Sequence, residues 1–237
     1  MLLQYIFLLI LLTGGALTSI WTGKLTTVAG ITGIMLGLVI FIGTGWLGLL
    51  LMAFFFLLGT LATAWKRNKK ELWKIAERNK GRRSATQVLA NGGMAGILAL
   101  LAIVWPEKAD LFTLLIAGVF SSATADTLSS ELGSLYGSRF YNILSFRKDT
   151  RGLDGVISLE GTLIGIAGSF LVAIVTSVGY GWGLYILWIV IAGTIGNLTD
   201  SLLGATLERR GLMPNDLVNF LNTVAGALVM FLLLKIH

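Results

Sequence analysis

Apolar stretches of about twenty residues alternate with short polar breaks along almost the whole chain. Runs at 2–20, 25–43, 46–64, 88–105, 111–130, 156–178, 182–207 and 217–234 carry few charges, and about twenty such residues is what one helix needs to cross a bilayer. In lipid each segment must satisfy its own backbone hydrogen bonds, as a helix does. The pattern predicts an all-α polytopic membrane bundle of about eight transmembrane helices. Residues 1–64 read as an N-terminal three-helix segment nearly devoid of chemistry, 65–86 as a basic linker, and 87–237 as a five-helix region holding most of the polar side chains. The first run lacks the basic start and small-residue cleavage site of a secretory signal and is read as a retained span.

Composition supports this: 55% of residues are hydrophobic and 13% charged, about half the charge of an ordinary soluble domain. The absence of cysteine excludes disulfides and thiol chemistry. With eight spans, Lys24, the cluster Lys66, Arg67, Lys69, Lys70, Lys74, Arg78, Lys80, Arg82 and Arg83, then Arg139, Arg147, Lys148, Arg151, Arg209 and Arg210 fall on one face. Those are sixteen of eighteen basic residues; only Lys108 and Lys235 fall on the other. Short cytoplasmic loops accumulate Lys and Arg, so that face is expected to be cytoplasmic, with both termini outside, as in a prokaryotic inner membrane. Anionic lipid is the partner this charge implies; nucleic acid is not expected of a chain without a soluble domain. Leu72, Ile75 and Ala76, set among the basic residues of 65–84, predict an amphipathic helix at the headgroups. The loop 134–155 is long enough to act as a lid.

Acids and amides close to the spans change the picture from scaffold to site. Asp126, Glu131, Glu160, Asp200, Glu208 and Asp216 are joined by Asn91, Asn197, Asn215, Asn219 and Asn222. A carboxylate at mid-span costs about 2.5–3.5 kcal/mol on insertion scales, so several of them need a compensating partner such as a bound cation. Helical spacing groups them: Asn197, Asp200, Ser201 and Gly204 share a face, as do Asn215, Asn219 and Asn222, and Arg83, Gln87 and Asn91, while Ser130 lies one turn from Asp126. Oxygen ligands suit Mg²⁺, which takes few from the protein and keeps phosphates and water as the remainder. Asp126 and Asp200 are the first candidate ligands and Glu131 the next. The segments Thr124–Leu128 and Leu198–Leu202 form a weak repeat, which predicts two hairpins facing each other across the site, as in some transporters. Gly33, Gly37, Gly161, Gly165 and Gly226 are expected to let helices approach closely.

Other answers are absent or weak. No phosphate-loop motif occurs, the single histidine is His237, and the letters G-x-G-x-x-G at 43–48 lie between two spans and read as a membrane turn. Asn91, Gly92 and Gly93 are expected at a helix start, where free backbone N–H groups favour a phosphate.

The ordered segments QVLANGG at 87–93, ATADTLSSELG at 123–133, DGVISLEGT at 154–162, DSLLGAT at 200–206 and VNFL at 218–221 resemble the integral-membrane family that contains phytyl-phosphate kinases and the animal transmembrane protein 19. Glu160 departs from the smaller or apolar residue expected there. The resemblance implies phosphoryl transfer from a nucleoside triphosphate, CTP or ATP, to a membrane isoprenoid monophosphate. In that reading Asp126 and Asp200 hold Mg²⁺ and Glu131 assists. Asn91, Ser130 and Asn219 orient phosphates, and Arg139 or Arg151 neutralises charge. Arg83, Gln87, Gly92, Gly93, Asp154, Asn197, Ser201, Asn215 and Asn222 complete the expected substrate and nucleotide contacts. A transporter or flippase of a lipid phosphate or small anion, and a nucleotidyltransferase acting on a lipid headgroup, are the alternatives.

Overall fold

A computed structural model describes residues 2–75 and 81–236; Ala76, Arg78, Lys80 and His237, all drawn on above, lie outside the described residues. The helices are α1 (Leu2–Trp21), α2 (Thr27–Ala64), a short α3 (Arg67–Leu72), α4 (Ala85–Val104), α5 (Ala109–Tyr136), α6 (Leu159–Tyr180), α7 (Tyr185–Leu203) and α8 (Asn215–Ile236). All but α3 belong to segments long and apolar enough to cross a membrane. The strands β1 (Tyr141–Asn142) and β2 (Val156–Ile157) pair antiparallel in the loop between α5 and α6.

Seven such helices give eight passes because α2 reverses at Gly45, whose φ of 68° and ψ of −157° break the helix. A glycine adopts that backbone at little steric cost. Unbroken, α2 would set residue 59 roughly 50 Å beyond residue 25 at 1.5 Å per residue. Instead the Arg83 backbone exchanges hydrogen bonds with Thr26 and Lys24 at 3.0 and 2.9 Å, while its guanidinium abuts Gly59. One residue thus touches both ends of α2, and the stretch 43–48 is the membrane turn its sequence suggests.

α5 is the hub. Nearly every residue from Phe112 to Ala125 is buried, and the helix packs against α2, α4, α6, α7 and α8. Small residues permit this crowding, since lipid supplies no hydrophobic drive between helices and close packing must hold them. A Cβ on Gly118 would meet the Gly226 carbonyl oxygen at 2.8 Å, and one on Gly226 the Gly118 carbonyl at 2.6 Å. Ser121 Oγ donates to the Ile189 carbonyl at 2.9 Å and Ser122 Oγ to that of Asn222 at 3.0 Å, tying α7 and α8 to the hub. Gly37, Gly161, Gly165 and Gly226 all face close neighbours as expected, but Gly33 faces open space.

Gly133 of α5 lies against Gly161 of α6, where an added Cβ would stand 2.5 Å from the Gly161 Cα. Gly133→Ala is expected to cost about 1–3 kcal/mol by overpacking, read as a lower thermal midpoint in detergent. Gly14, with nothing within 4 Å, provides the control, and equal midpoints for the two alanine variants would contradict this contact.

Three helices that begin at the basic end, α2, α4 and α6, carry side-chain caps, which satisfy free N–H groups of the first turn. Thr26 accepts from Ala29 N at 3.1 Å, Ser84 from Gln87 N at 3.2 Å, and Ser158 from Gly161 N at 3.0 Å. Two boundaries differ from the sequence reading. α5 continues six residues beyond 130, so Glu131 lies on the helix, and Val156–Ile157 form a strand, so α6 begins at Leu159.

The linker also differs. Between α2 and α4 the described α-helix is Arg67–Leu72, and Lys70 turns inward instead of facing headgroups. It is 1% exposed, with Nζ donating to the Ala62 carbonyl at 2.7 Å and pairing with Glu131 Oε2 at 2.5 Å. Trp73 lies against the Arg151 guanidinium at 4.4 Å, and Ile75 packs over Gly152. The described residues 65–75 lie over the bundle end, with Lys70 drawn inward by Glu131 while Leu72 stays exposed.

Candidate functional site

Beneath that cover lies a polar cavity of about 330 Å³ between the ends of α4, α5, α7, α8 and the α5–α6 loop. α5 and α7, the first helices of the two hairpins, pack against each other. Their aspartates meet: the carboxyls of Asp126 and Asp200 lie within hydrogen-bonding reach. Asp200 Oδ1 is buried with no hydrogen-bond partner. Two facing carboxylates repel, and a buried carboxylate oxygen left without a donor is costly, so the pair calls for a proton or a cation.

Glu208 joins the same wall. The chain between Gly204 and Glu208 widens into a π turn, with Arg209 N donating to the Gly204 carbonyl at 3.0 Å. Such turns insert an extra residue and recur at functional sites. The spacing of Glu208, seven residues from Ser201 and four from Gly204, puts it on the face already assigned to Asp200, a signal that could have added Glu208 to the candidate residues.

Amides and hydroxyls complete the wall. Asn91 donates to the Gln87 carbonyl at 3.0 Å, Ser129 Oγ donates to Asn197 Oδ1 at 2.9 Å, and Asn219 Nδ2 to Asn215 Oδ1 at 3.0 Å. Gln87, Ser130, Asp154 and Ser201 also line the cavity, as do Thr127, Ser129, Ser158 and Thr162, which the sequence reading did not select. Ser129 is three residues from Asp126, a spacing as compatible with a shared face as that of Ser130.

Five expected contributors stand elsewhere. Gly92 and Gly93 do not line the polar cavity: α4 starts at Ala85, so their N–H groups lie inside the helix, and they face Leu36 and Phe220. Asn222 is fully buried below the cavity wall, its side chain bonded to Ser122 and reaching the Asp200 carboxyl from beneath. Arg139 is exposed outside it. Arg151 is a brace: its Nη2 donates to the Gly137 carbonyl at 3.1 Å, and its guanidinium lies between the Trp73 and Phe140 rings. Among the described residues, Arg83 is the one basic side chain on the cavity wall. Glu131 lines the cavity too, but its carboxylate is held by Lys70, which disfavours it as a metal ligand.

The surrounding loop is tied down from outside. Arg209 pairs with Asp149 at 2.6 Å and holds that carboxyl at about 2, well below its ordinary range. Glu160 accepts from Ser138 N at 3.1 Å and Oγ at 2.5 Å, fixing the start of α6 to the loop.

Among the described residues no group of three or more Asp, Glu, His or Cys side chains closes a metal cage. The donor set still fits Mg²⁺, which takes one or two carboxylates and leaves its other positions to phosphates and water. The unpartnered Asp200 oxygen beside Asp126 is the observation that supports the fit.

A family model described as integral membrane protein DUF92 matches residues 10–227. The protein VTE6, chloroplastic, of Arabidopsis thaliana is 35% identical over 209 residues, covering 84% of this chain and 62% of the plant protein. This chain therefore spans less than two thirds of that relative's length. An uncharacterized membrane protein of Synechocystis is 33% identical, covering 82% of this chain and 77% of the relative; one from Methanocaldococcus jannaschii is 35% identical, covering 82% and 79%. No solved structure matches. The chain belongs to the DUF92 family of integral membrane proteins.

Proposed function

We propose that the protein transfers the γ-phosphoryl group of a nucleoside triphosphate to a membrane isoprenoid monophosphate, giving the diphosphate. The observation that carries this reading is the meeting of Asp126 and Asp200, with an unpartnered carboxylate oxygen, in a polar cavity at the basic end of a membrane bundle. Phosphoryl transfer needs positioning and charge neutralisation more than covalent chemistry. Apart from Glu131, which Lys70 holds, Asp126, Asp154, Asp200 and Glu208 set four carboxylates against one guanidinium among the described residues of the wall, a surface that repels phosphates unless divalent cations intervene.

Asp126 and Asp200 would hold Mg²⁺, with Glu208 within reach of its water shell. When bound, the metal neutralises phosphate charge and draws donor and acceptor together. Arg83 receives the acceptor phosphate at the mouth of α4, and Asn91, Asn197, Asn215 and Asn219 offer amide donors to the triphosphate. An acceptor oxygen attacks the γ-phosphorus in line, the bond from that phosphorus to the β–γ bridging oxygen breaks, and nucleoside diphosphate departs. No general base is needed, because the attacking oxygen is already anionic. The basic end would face the cytoplasm, where nucleotide is available, in keeping with the loop charges.

Purified protein incubated with phytyl, geranylgeranyl and farnesyl monophosphates, labelled CTP or ATP and Mg²⁺ is expected to yield prenyl diphosphate and nucleoside diphosphate. Release of pyrophosphate would assign a nucleotidyltransferase instead. Movement of labelled lipid phosphate across vesicles without nucleotide consumption would assign a transporter.

A further inference from the structure

A second cavity, of about 280 Å³ and almost wholly apolar, lies between α1, both limbs of α2 and the start of α4. Leu11, Leu36, Met52 and Phe56 are among its walls. Arg83, Gln87 and Asn91 line this cavity and the polar one alike, so the two spaces meet along one turn of α4. Leu11, Gly15 and Ala53 are exposed to the surroundings of the bundle, which in a membrane makes the cavity open sideways into lipid. We propose that this space holds the isoprenoid chain of the acceptor, with Arg83 at the junction seating its phosphate; the proposal rests on the kinase reading and names where the substrate's tail lies.

The occupant follows from charge and continuity. An apolar chamber that ends at a guanidinium and then opens onto a carboxylate pair suits a molecule with a long hydrocarbon chain and a phosphate head. The Arg83 guanidinium lies 5.4 and 5.6 Å from the Phe55 and Phe56 ring centroids, so the rings of the apolar chamber position the cation at its polar end. Moving a chain from the bilayer into this cavity gains little from the hydrophobic effect, because lipid is equally apolar. Selection must therefore come from how closely a chain fits the chamber's walls.

The glycines supply the shape. Gly30 and Gly92 have close neighbours, Ile20 at 2.7 Å and Leu36 at 2.5 Å from an added Cβ. Gly15 and Gly33 line the cavity with nothing within 4 Å of where a Cβ would stand. A helical glycine that packs against nothing costs stability relative to alanine, and the room it leaves opens into the chamber. Gly33→Leu fills that room without a backbone clash.

Relative kcat/KM for geranylgeranyl against dimethylallyl monophosphate is the readout. Gly33→Leu is expected to lower that ratio about tenfold, the scale on which a filled apolar pocket discriminates by a methylene or two. Gly14→Leu, on α1 with open space and outside both cavities, is expected to match the wild type. An unchanged ratio for Gly33→Leu would overturn the proposal. A diazirine-bearing prenyl monophosphate gives a second measurement that does not need turnover. Crosslinks mapping to α1, α2 and α4 and competed by phytyl monophosphate support the tail site even if the wild type forms no diphosphate, a result that sinks only the kinase reading. Crosslinks elsewhere, or competition by ordinary phospholipid alone, would show another lipid's site and overturn the proposal.

Discussion

Asp126→Asn and Asp200→Asn are each expected to lower diphosphate formation about a thousandfold while leaving the protein folded. The two carboxylates face each other in a cavity with one cation, Arg83, among the described residues of its wall. In the proposed reaction, removing either charge would take away one of the two carboxylates offered to Mg²⁺, and the loss of one preorganised electrostatic partner at a phosphoryl centre costs about 10²–10³ in rate. Asparagine keeps the shape and relieves repulsion between like charges, so thermal stability should hold or rise. That opposition separates a catalytic role from a structural one. A fall in stability that matches the fall in rate would show instead that the pair serves the fold. The two variants combined should do little further damage, because residues that act as one unit are not additive.

Lys70→Met is expected to destabilise the protein by about 3–5 kcal/mol, the cost of leaving a buried charge unpaired. Lys70 is 1% exposed and the Glu131 side chain 12%, with 2.5 Å between them. The lysine reaches from the linker, across the Ala62 carbonyl at the end of α2, to the last turns of α5. It therefore fastens the N-terminal segment to the hub at the rim of the cavity. The double variant Lys70→Met/Glu131→Gln should recover most of the loss, since replacing both members of a buried pair is often neutral. Thermal midpoints of the three variants in one detergent check this, and a double variant no better than Lys70→Met alone would show that the pair is not the cause.

The sequence made the bundle legible because lipid imposes two simple demands, length and apolarity, and each span meets them openly. Even the turn at Gly45 could be read, since a polar break and glycines separate two runs of nearly equal length. The meeting of Asp126 and Asp200 was legible for a related reason: a repeated Asp motif on the first helix of each of two hairpins predicts that both line one site, and α5 and α7 do pack together.

The failures have a common origin in side chains that satisfy one another. Lys70, Arg151 and Glu131 each look free in the sequence. In the fold Lys70 closes on Glu131 and Arg151 is held between aromatic rings, because burial at the bundle end makes an unpaired charge too costly. Glu208 was announced by its spacing from Ser201 and Gly204, and the π turn over 204–208 is the feature that spacing does not show. Gly92 and Gly93 were misplaced because the capping box formed by Ser84 and Gln87 starts α4 earlier than the apolar run does.

Everything catalytic in this account depends on a divalent ion held between α5 and α7. Electron paramagnetic resonance of Mn²⁺ titrated into purified protein, displaced by Mg²⁺ and repeated on Asp200→Asn, reads that ion without reference to any substrate. The wild type is expected to show one Mg²⁺-competed site, tightened by nucleotide and lost or greatly weakened in the variant. Equal binding by both proteins, or no binding by either with nucleotide present, would contradict it.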